Sequence, residues 1–530
     1  MENDVISTLN GVYTRVLPEI ILVVTACIVF LGGTVRANRH IWAAVSFMGI
    51  VLAGAFIPVS LPDSESVKLF VSPIYSDSLA QFFRWLSLSL GILFVFLFWN
   101  QISDKFAGEL FGCLLIVLAG LSLTCAANDL ITLFIALEMI SIPTYIMLYL
   151  PKTDSKAQEA ALKYFMLSVF SSALLLFGFS YLYGMTGTTN LSVILHSLNQ
   201  VSSQESLPII GHLAMIMIVA GLGFKITAVP FHFYAPDVYQ GTSDTMAAFL
   251  AVVPKVAGFV AIVRVFGLVL PSIVPTSTVN LGMGLSSQTP ILLWFLAAIT
   301  MTLGNVFALL QTNLKRILAY SSVAHAGYML VALAAVPYLN HLDGDIIHKT
   351  GPRGVDAVLY YLIAYASMTI GVFAVLALVN KSERPVETID DLAGLGQTHP
   401  AIGLMMTVFL FSLIGIPFTA GFTGKLYIFF DVISITNPVS ASGTGSNPVV
   451  LFRVLALIAA VNAAIGAWYY LRMISVMFLR GAVEPVKPGK NLPGLITIIL
   501  CVVLTVGLSI PPGATWVFKW VKLDRISESN

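Results

Sequence analysis

Four charged side chains interrupt long apolar runs. Glu138 closes Leu133-Phe134-Ile135-Ala136-Leu137-Glu138, Lys225 closes Gly221-Leu222-Gly223-Phe224-Lys225, Lys255 directly follows Pro254, and Lys425 lies eight residues beyond Pro417. An ionisable group near the centre of a bilayer costs about 2.5–3.5 kcal/mol on insertion scales, so each is by default a functional position. The competing explanation is a structural ion pair, or a long side chain reaching back to the headgroups. For Lys163, within a turn of the start of its apolar run, that explanation is a serious rival. Glu138, Lys225 and Lys255 lie several residues from either end of theirs, where anchoring explains little. His232 and His325 join the set less firmly, because imidazole is as apt to pack as a hydrogen-bonded residue as to pass protons. Thr227, Tyr320, Ser321 and Ser322 are hydroxyls suited to orienting water, but such groups are common in packed membrane helices.

The chemistry this set supports is proton transfer. Burial favours the neutral form of a lysine and a nearby carboxylate favours the charged form. A change in the spacing of Glu138 and Lys225 would therefore load or eject a proton. Proline within a helix frees the carbonyl four residues earlier, and such carbonyls make room for water. Pro143, Pro230 and Pro417 free those of Met139, Ile226 and Leu413 on this rule. The sequence contains no Walker A loop, no GxGxxG between a strand and a helix, and no haem or iron–sulfur ligand spacing.

The elements that carry these residues are membrane helices. Of 530 residues 58% are hydrophobic and only 10% charged, against about 25% charged in a soluble domain. Mean hydropathy is +0.91. Apolar stretches near 17–35, 41–60, 78–99, 108–126, 130–149, 162–184, 211–230, 242–267, 291–310, 316–336, 357–379, 401–430, 450–478 and 493–511 predict an all-α polytopic membrane protein of about fourteen transmembrane helices. The acidic Met1-Glu2-Asn3-Asp4 and the length of the first stretch speak against a cleaved signal peptide. With 27 Lys and Arg against 26 Asp and Glu, the net charge of +1 offers no field for a nucleic acid. Cys27, Cys113, Cys125 and Cys501 lie singly in apolar runs and read as packing residues.

Lys and Arg concentrate in the connections after odd-numbered spans: Arg36, Arg39, Lys105, Lys152, Lys156, Lys315, Arg316, Lys381, Arg384, Arg480, Lys487 and Lys490. The other face holds only Lys68, Lys349 and Arg353 in its connections. The positive-inside rule then puts both termini outside the cytoplasm, although Lys519, Lys522 and Arg525 in the tail run against it. Val229-Pro230-Phe231-His232 and Ile416-Pro417-Phe418-Thr419 mark two broken helices five spans apart. If 108–267 and 291–480 are related five-helix modules, the odd count makes them inverted repeats, the plan of secondary transporters. Three leading helices (1–107) and a final helix with its tail (481–530) flank them.

At these residues the sequence resembles the antiporter-like membrane subunits of respiratory complex I. The likeness is dense from Gly108 to Arg480. It rests on Ala127-Asn128-Asp129-Leu130 leading to Glu138, on Ala161-Leu162-Lys163-Tyr164-Phe165, and on the run from Gly221 through His232 to Pro236-Asp237-Val238-Tyr239-Gln240-Gly241. Leu314-Lys315-Arg316-Ile317-Leu318-Ala319-Tyr320-Ser321-Ser322 and Gly415-Ile416-Pro417-Phe418-Thr419-Ala420-Gly421-Phe422 complete it. The resemblance implies fourteen helices, two inverted repeats and a hydrated polar axis. Along that axis it implies Glu138 and Lys225 as a first pair, Lys255 as central relay, Lys425 as exit-side lysine, and Lys163, His232 and His325 as auxiliary groups.

It further implies a proton-translocating subunit of NADH:quinone oxidoreductase in a bacterial inner membrane, with the other membrane-arm subunits and lipid as partners. No cofactor is expected in this chain; NADH, FMN, iron–sulfur clusters and quinone would belong to partner subunits. A sodium/proton antiporter subunit of the Mrp type is an alternative, against which the Pro236-to-Gly241 string argues. A structural scaffold with vestigial charges is another. The stretches 337–356 and 434–448 match nothing familiar.

Overall fold

In hydrocarbon each backbone N–H and C=O must find its partner within the protein, so apolar runs of this length become helices. The computed structural model describes residues 12–58, 73–150, 155–202, 209–269, 285–339, 354–380, 386–435, 448–481, 488–489 and 491–510. Among them the order is α1 (Leu17–Val35), α2 (Arg39–Phe56), α3 (Ser78–Phe98), α4 (Ala107–Ala126), α5 (Leu130–Tyr149), α6 (Ser155–Thr186), α7 (Leu191–Ser202), α8 (Ile209–Lys225) and α9 (Ala235–Gly241). There follow α10 (Asp244–Val269), α11 (Leu285–Leu309), α12 (Leu314–Leu339), α13 (Val355–Val379), α14 (Pro400–Ile414), α15 (Ala420–Ile433), α16 (Pro448–Leu479) and α17 (Leu492–Gly507). Extended pairing among the described residues is confined to single bridges such as Asp129 with Asn190. Among the described residues eleven helices are long and apolar enough to cross a membrane, and α8, α14 and α17 are shorter apolar ones. The molecule is an all-helical, multi-pass membrane protein.

Side chains of the connections start several of these helices. Asn38 accepts from the amides of His40 and Ile41, Asp77 from that of Ala80, and Asp129 from those of Ile131 and Thr132, satisfying amides that have no helical partner. Helices α10, α12 and α13 are buried almost throughout and form the centre, whereas α1, α2, α6 and α16 turn one face outward. Two ion pairs missed in the sequence tie the leading helices inward. Arg84 of α3 donates to Glu19 of α1 at 2.8 Å, and Arg264 of α10 makes a forked contact to Asp77 at 2.6 and 2.7 Å.

The structure revises several local expectations. α5 runs through Pro143 and α10 through Pro254 without a break. The stretch expected at 211–230 ends as a helix at Lys225, five residues before the proline blamed for its break. The connection between 185 and 210 contains the short α7. Of the charges used to orient the chain, Lys68, Lys152, Lys349, Arg353, Lys381, Arg384, Lys487, Lys490, Lys519, Lys522 and Arg525 lie outside the described residues, as do 340–353 and 436–447 of the unfamiliar stretches.

Candidate functional site

The first break begins where α8 gives out. Pro230 has no N–H to donate and its ring excludes a helical carbonyl four residues back. The chain leaves the helix early, with Thr227 in the left-handed region at φ 59° and the amides of Thr227 and Ala228 turned back to the carbonyls of Phe224 and Gly223. Tyr234 Oη donates to the same Phe224 carbonyl at 3.0 Å, and the Val229 amide donates to Thr300 Oγ1 of α11 at 3.1 Å. Backbone groups released by the break are thus taken up within the protein.

Lys225 is the last residue of α8 and is buried. Its Nζ donates to Ser141 Oγ at 2.7 Å, while Glu138, one turn earlier on α5, accepts from Ser172 Oγ of α6 at 2.5 Å. Glu138 and Lys225 therefore lie on adjoining turns of one surface, each held by a serine and not in a direct ion pair. Ser141 was legible as the residue three beyond Glu138 on the same helical face. Ser172 was not, because nothing local links α6 to α5.

His232 sits inside the break, its ring parallel to Phe307 at 6.2 Å and its Nδ1 enclosed without a protein partner. Because α8 does not continue, His232 and Lys225 do not share a helix face. Lys163, two turns into α6 and so deeper than its place at the start of the apolar run suggested, is partly exposed and bonds Glu159 at 2.7 Å and Asp237 of α9 at 2.9 Å. Asp237 also accepts from Arg316 of α12 at 2.7 Å. Lys163 thus belongs to a partly exposed charge network and shares none of the hydrogen-bond partners of the buried lysines.

Lys255, in the middle of α10, has no exposed surface. Its Nζ donates to the carbonyl and hydroxyl of Ser322 on α12 and lies 5.3 Å from the centre of the Tyr365 ring on α13. Ser322 Oγ in turn bonds Tyr365 Oη at 2.7 Å. One turn along α12, His325 is buried between two phenols: Nδ1 is 2.6 Å from Tyr361 Oη and Nε2 is 3.2 Å from Tyr470 Oη of α16. Tyr470 Oη also bonds Ser321 Oγ. α16 is docked on α11 by an amide cluster in which Asn305 donates to Asn462 at 3.3 Å and accepts from Tyr469 at 3.1 Å.

The second break divides α14 from α15. Gly415 ends α14 at φ 90°, a conformation natural to glycine. Thr419 caps α15, and Gly421 passes so close to α14 that an added Cβ would fall 1.9 Å from the Ser412 carbonyl oxygen. Lys425 of α15 reaches back across the break, its Nζ 2.9 Å from the carbonyl oxygens of both Leu413 and Ile414 and 5.0 Å from the Tyr328 ring centre. The carbonyl that Pro417 was expected to free is therefore the one that Lys425 covers. Lys225, Lys255 and Lys425 share a feature that composition could not show. Their hydrogen-bond partners are hydroxyls and carbonyls, and among the described residues no carboxylate comes within ion-pair distance of any of them. Oxygens of this kind hold an ammonium without fixing its charge against a permanent counter-charge.

A sequence model of the family described as NADH:quinone oxidoreductase/Mrp antiporter, transmembrane, matches residues 127–444. The chain is 36% identical over 485 residues to NADH-quinone oxidoreductase subunit N of Trichlorobacter lovleyi, covering 90% of this chain and 88% of the relative. It is 35% identical to subunit N 1 of Solibacter usitatus, covering 96% of each. Among solved structures it is similar to a chain of respiratory complex I from Thermus thermophilus with bound aureothin, with a TM-score of 0.71, 29% identity, and coverage of 94% of this chain and 97% of that one. A chain of the Mrp complex from a Dietzia species has a TM-score of 0.75 but only 17% identity, a likeness of fold alone.

Proposed function

The chain belongs to the NADH:quinone oxidoreductase/Mrp antiporter membrane family, among its subunit N members, and we propose that its buried lysines are the groups through which it moves protons. It is a proton-translocating subunit of the membrane arm of NADH:quinone oxidoreductase, and its partners are the other membrane-arm subunits. The observation that carries the lysine reading is that Lys225, Lys255 and Lys425, all buried, bond only to hydroxyl and carbonyl oxygens among the described residues. Side chains kept merely as ion pairs would face carboxylates.

On this reading Glu138 with Lys225 form the entry, Lys255 and His325 the middle, and Lys425 the far end of one path. His232 lines the first break, and Lys163 sets the charge at one mouth through Asp237. Fourteen spans, with 108–267 and 291–480 as inverted five-helix repeats, complete the proposal. So do residence in a bacterial inner membrane and termini outside the cytoplasm. NADH, FMN, iron–sulfur clusters and quinone then reside in partner subunits, whose redox chemistry drives the proton movement. Purification through a tag on this chain tests the assignment. NADH-oxidising subunits and iron–sulfur absorbance should co-purify, and their absence under conditions that keep membrane complexes intact would favour an Mrp-type subunit or a scaffold.

A further inference from the structure

We infer that Tyr361 and Tyr470 are proton-handling residues that extend His325 at its two ring nitrogens, with Ser321 as the terminal hydroxyl of the same wire. The inference deepens the proposal that the lysine axis carries protons and rests on it. Four groups from three helices are linked in a row: Tyr361 Oη to His325 Nδ1 at 2.6 Å, His325 Nε2 to Tyr470 Oη at 3.2 Å, and Tyr470 Oη to Ser321 Oγ. All four are buried. Ser321 is the chain neighbour of Ser322, which holds Lys255, so one end of the row lies beside the Lys255 contact. Tyr361 lies one turn from Tyr365, which is bonded to Ser322.

A neutral imidazole has one N–H and one bare nitrogen. With both nitrogens facing phenols, the row has two complete hydrogen-bond directions, one for each tautomer, related without displacement of any heavy atom. Consider the tautomer with hydrogen on Nδ1, donating to the Tyr361 oxygen. Ser321 passes its hydroxyl proton to Tyr470 as it receives one, and Tyr470 passes its own to Nε2, giving the imidazolium. Nδ1–H then passes to the Tyr361 oxygen while the Tyr361 hydroxyl proton leaves to a water. One proton enters at Ser321, one leaves at Tyr361, and the ring is neutral again with its hydrogen on Nε2. The reverse sequence carries a proton the other way, whereas a second proton in the same direction passes only after the hydroxyls have rotated and the imidazole has regained its first tautomer. A buried imidazole needs a partner on each nitrogen in any case; here both partners are hydroxyls, which can donate or accept and so serve either tautomer.

The test uses the assembled complex in sealed membrane vesicles with Tyr470→Phe, Tyr361→Phe and Ser321→Ala, alongside His325→Gln. Phenylalanine keeps the ring and its packing and deletes only the hydroxyl. NADH oxidation by an artificial acceptor reports assembly, and proton uptake per NADH oxidised through quinone reports translocation. The expected result is a several-fold loss of translocation in Tyr470→Phe and Tyr361→Phe at unchanged artificial-acceptor activity, with an altered pH profile. Impairment in His325→Gln together with normal pumping in both phenylalanine variants overturns the wire but leaves His325 in the path. Normal pumping in His325→Gln overturns both. Should a phenylalanine variant not assemble, Ser321→Ala decides: normal pumping there removes the terminal hydroxyl from the wire and overturns it, and a several-fold loss supports it.

Discussion

Lys425 Nζ lies 2.9 Å from the carbonyl oxygen of Leu413, so a side chain from the second half of a broken helix caps the first half. A cation at a helix C-terminus is favoured by the partial negative charge of the unpaired carbonyls. The same contact makes that end sensitive to whether the ammonium is charged, and the break is a place where protonation and backbone geometry meet.

Lys425→Arg is therefore the informative substitution at this site. Arginine keeps the charge and supplies donors to Leu413 and Ile414, but it does not give up its proton. The Arg variant should assemble yet pump nearly as poorly as Lys425→Ala. The Ala variant should in addition lose roughly 1–3 kcal/mol for each buried carbonyl left without a donor, read as earlier thermal dissociation of the complex. Near-normal pumping by Lys425→Arg in reconstituted vesicles would reduce Lys425 to a fixed positive charge.

Lys225→Ala and Glu138→Ala should each lower proton pumping and quinone-linked NADH oxidation together, several-fold, with artificial-acceptor oxidation spared. Glu138→Gln separates charge from hydrogen bonding, because the amide oxygen still accepts from Ser172. Loss of pumping in the Gln variant assigns the effect to the carboxylate. If instead the Ala variants do not assemble, measured by co-purification, a structural role for these two gains ground.

The buried Glu19–Arg84 pair, whose two side chains are 5% and 1% exposed, should behave as a structural element. Removing one partner of a buried pair leaves an uncompensated charge and costs about 3–5 kcal/mol, whereas replacing both with apolar residues is far less damaging. Glu19→Leu and Arg84→Leu should each lower the thermal stability of the complex strongly, and the double substitution should restore most of it. Additive losses in the double variant would mean that the two side chains act separately.

The topology has a direct test in α6, which at 1.5 Å per residue is about 48 Å long and carries Ser155 and Gly184 near its two ends. In a variant lacking Cys27, Cys113, Cys125 and Cys501, Ser155→Cys should label from the cytoplasmic side and Gly184→Cys from the other. The added Cβ at Gly184 meets open space, so packing is not disturbed. Labelling of both from one side would remove the span count on which the orientation rests.

Class, the charges set within apolar runs and the neighbourhood of both breaks were legible in the sequence, because each is a local property. A run of apolar residues selects a helix in lipid whatever surrounds it, and a lysine within such a run is conspicuous by its cost alone. Pro417 likewise marked the carbonyl of Leu413, four residues back. What the lysines bond to was decided elsewhere. Lys225 to Ser141 spans 84 residues, Lys255 to Ser322 spans 67, and His325 to Tyr470 spans 145. Nothing in the local pattern of α8, α10 or α12 specifies which hydroxyl on another helix will face its buried group. Packing also moved the first break from Pro230 back to Lys225, where Thr227, Ala228 and Tyr234 could satisfy the released backbone. A residue type declares what chemistry it can perform, but most of these hydrogen-bond partners come from helices distant in the chain, and only the packed bundle brings them within reach.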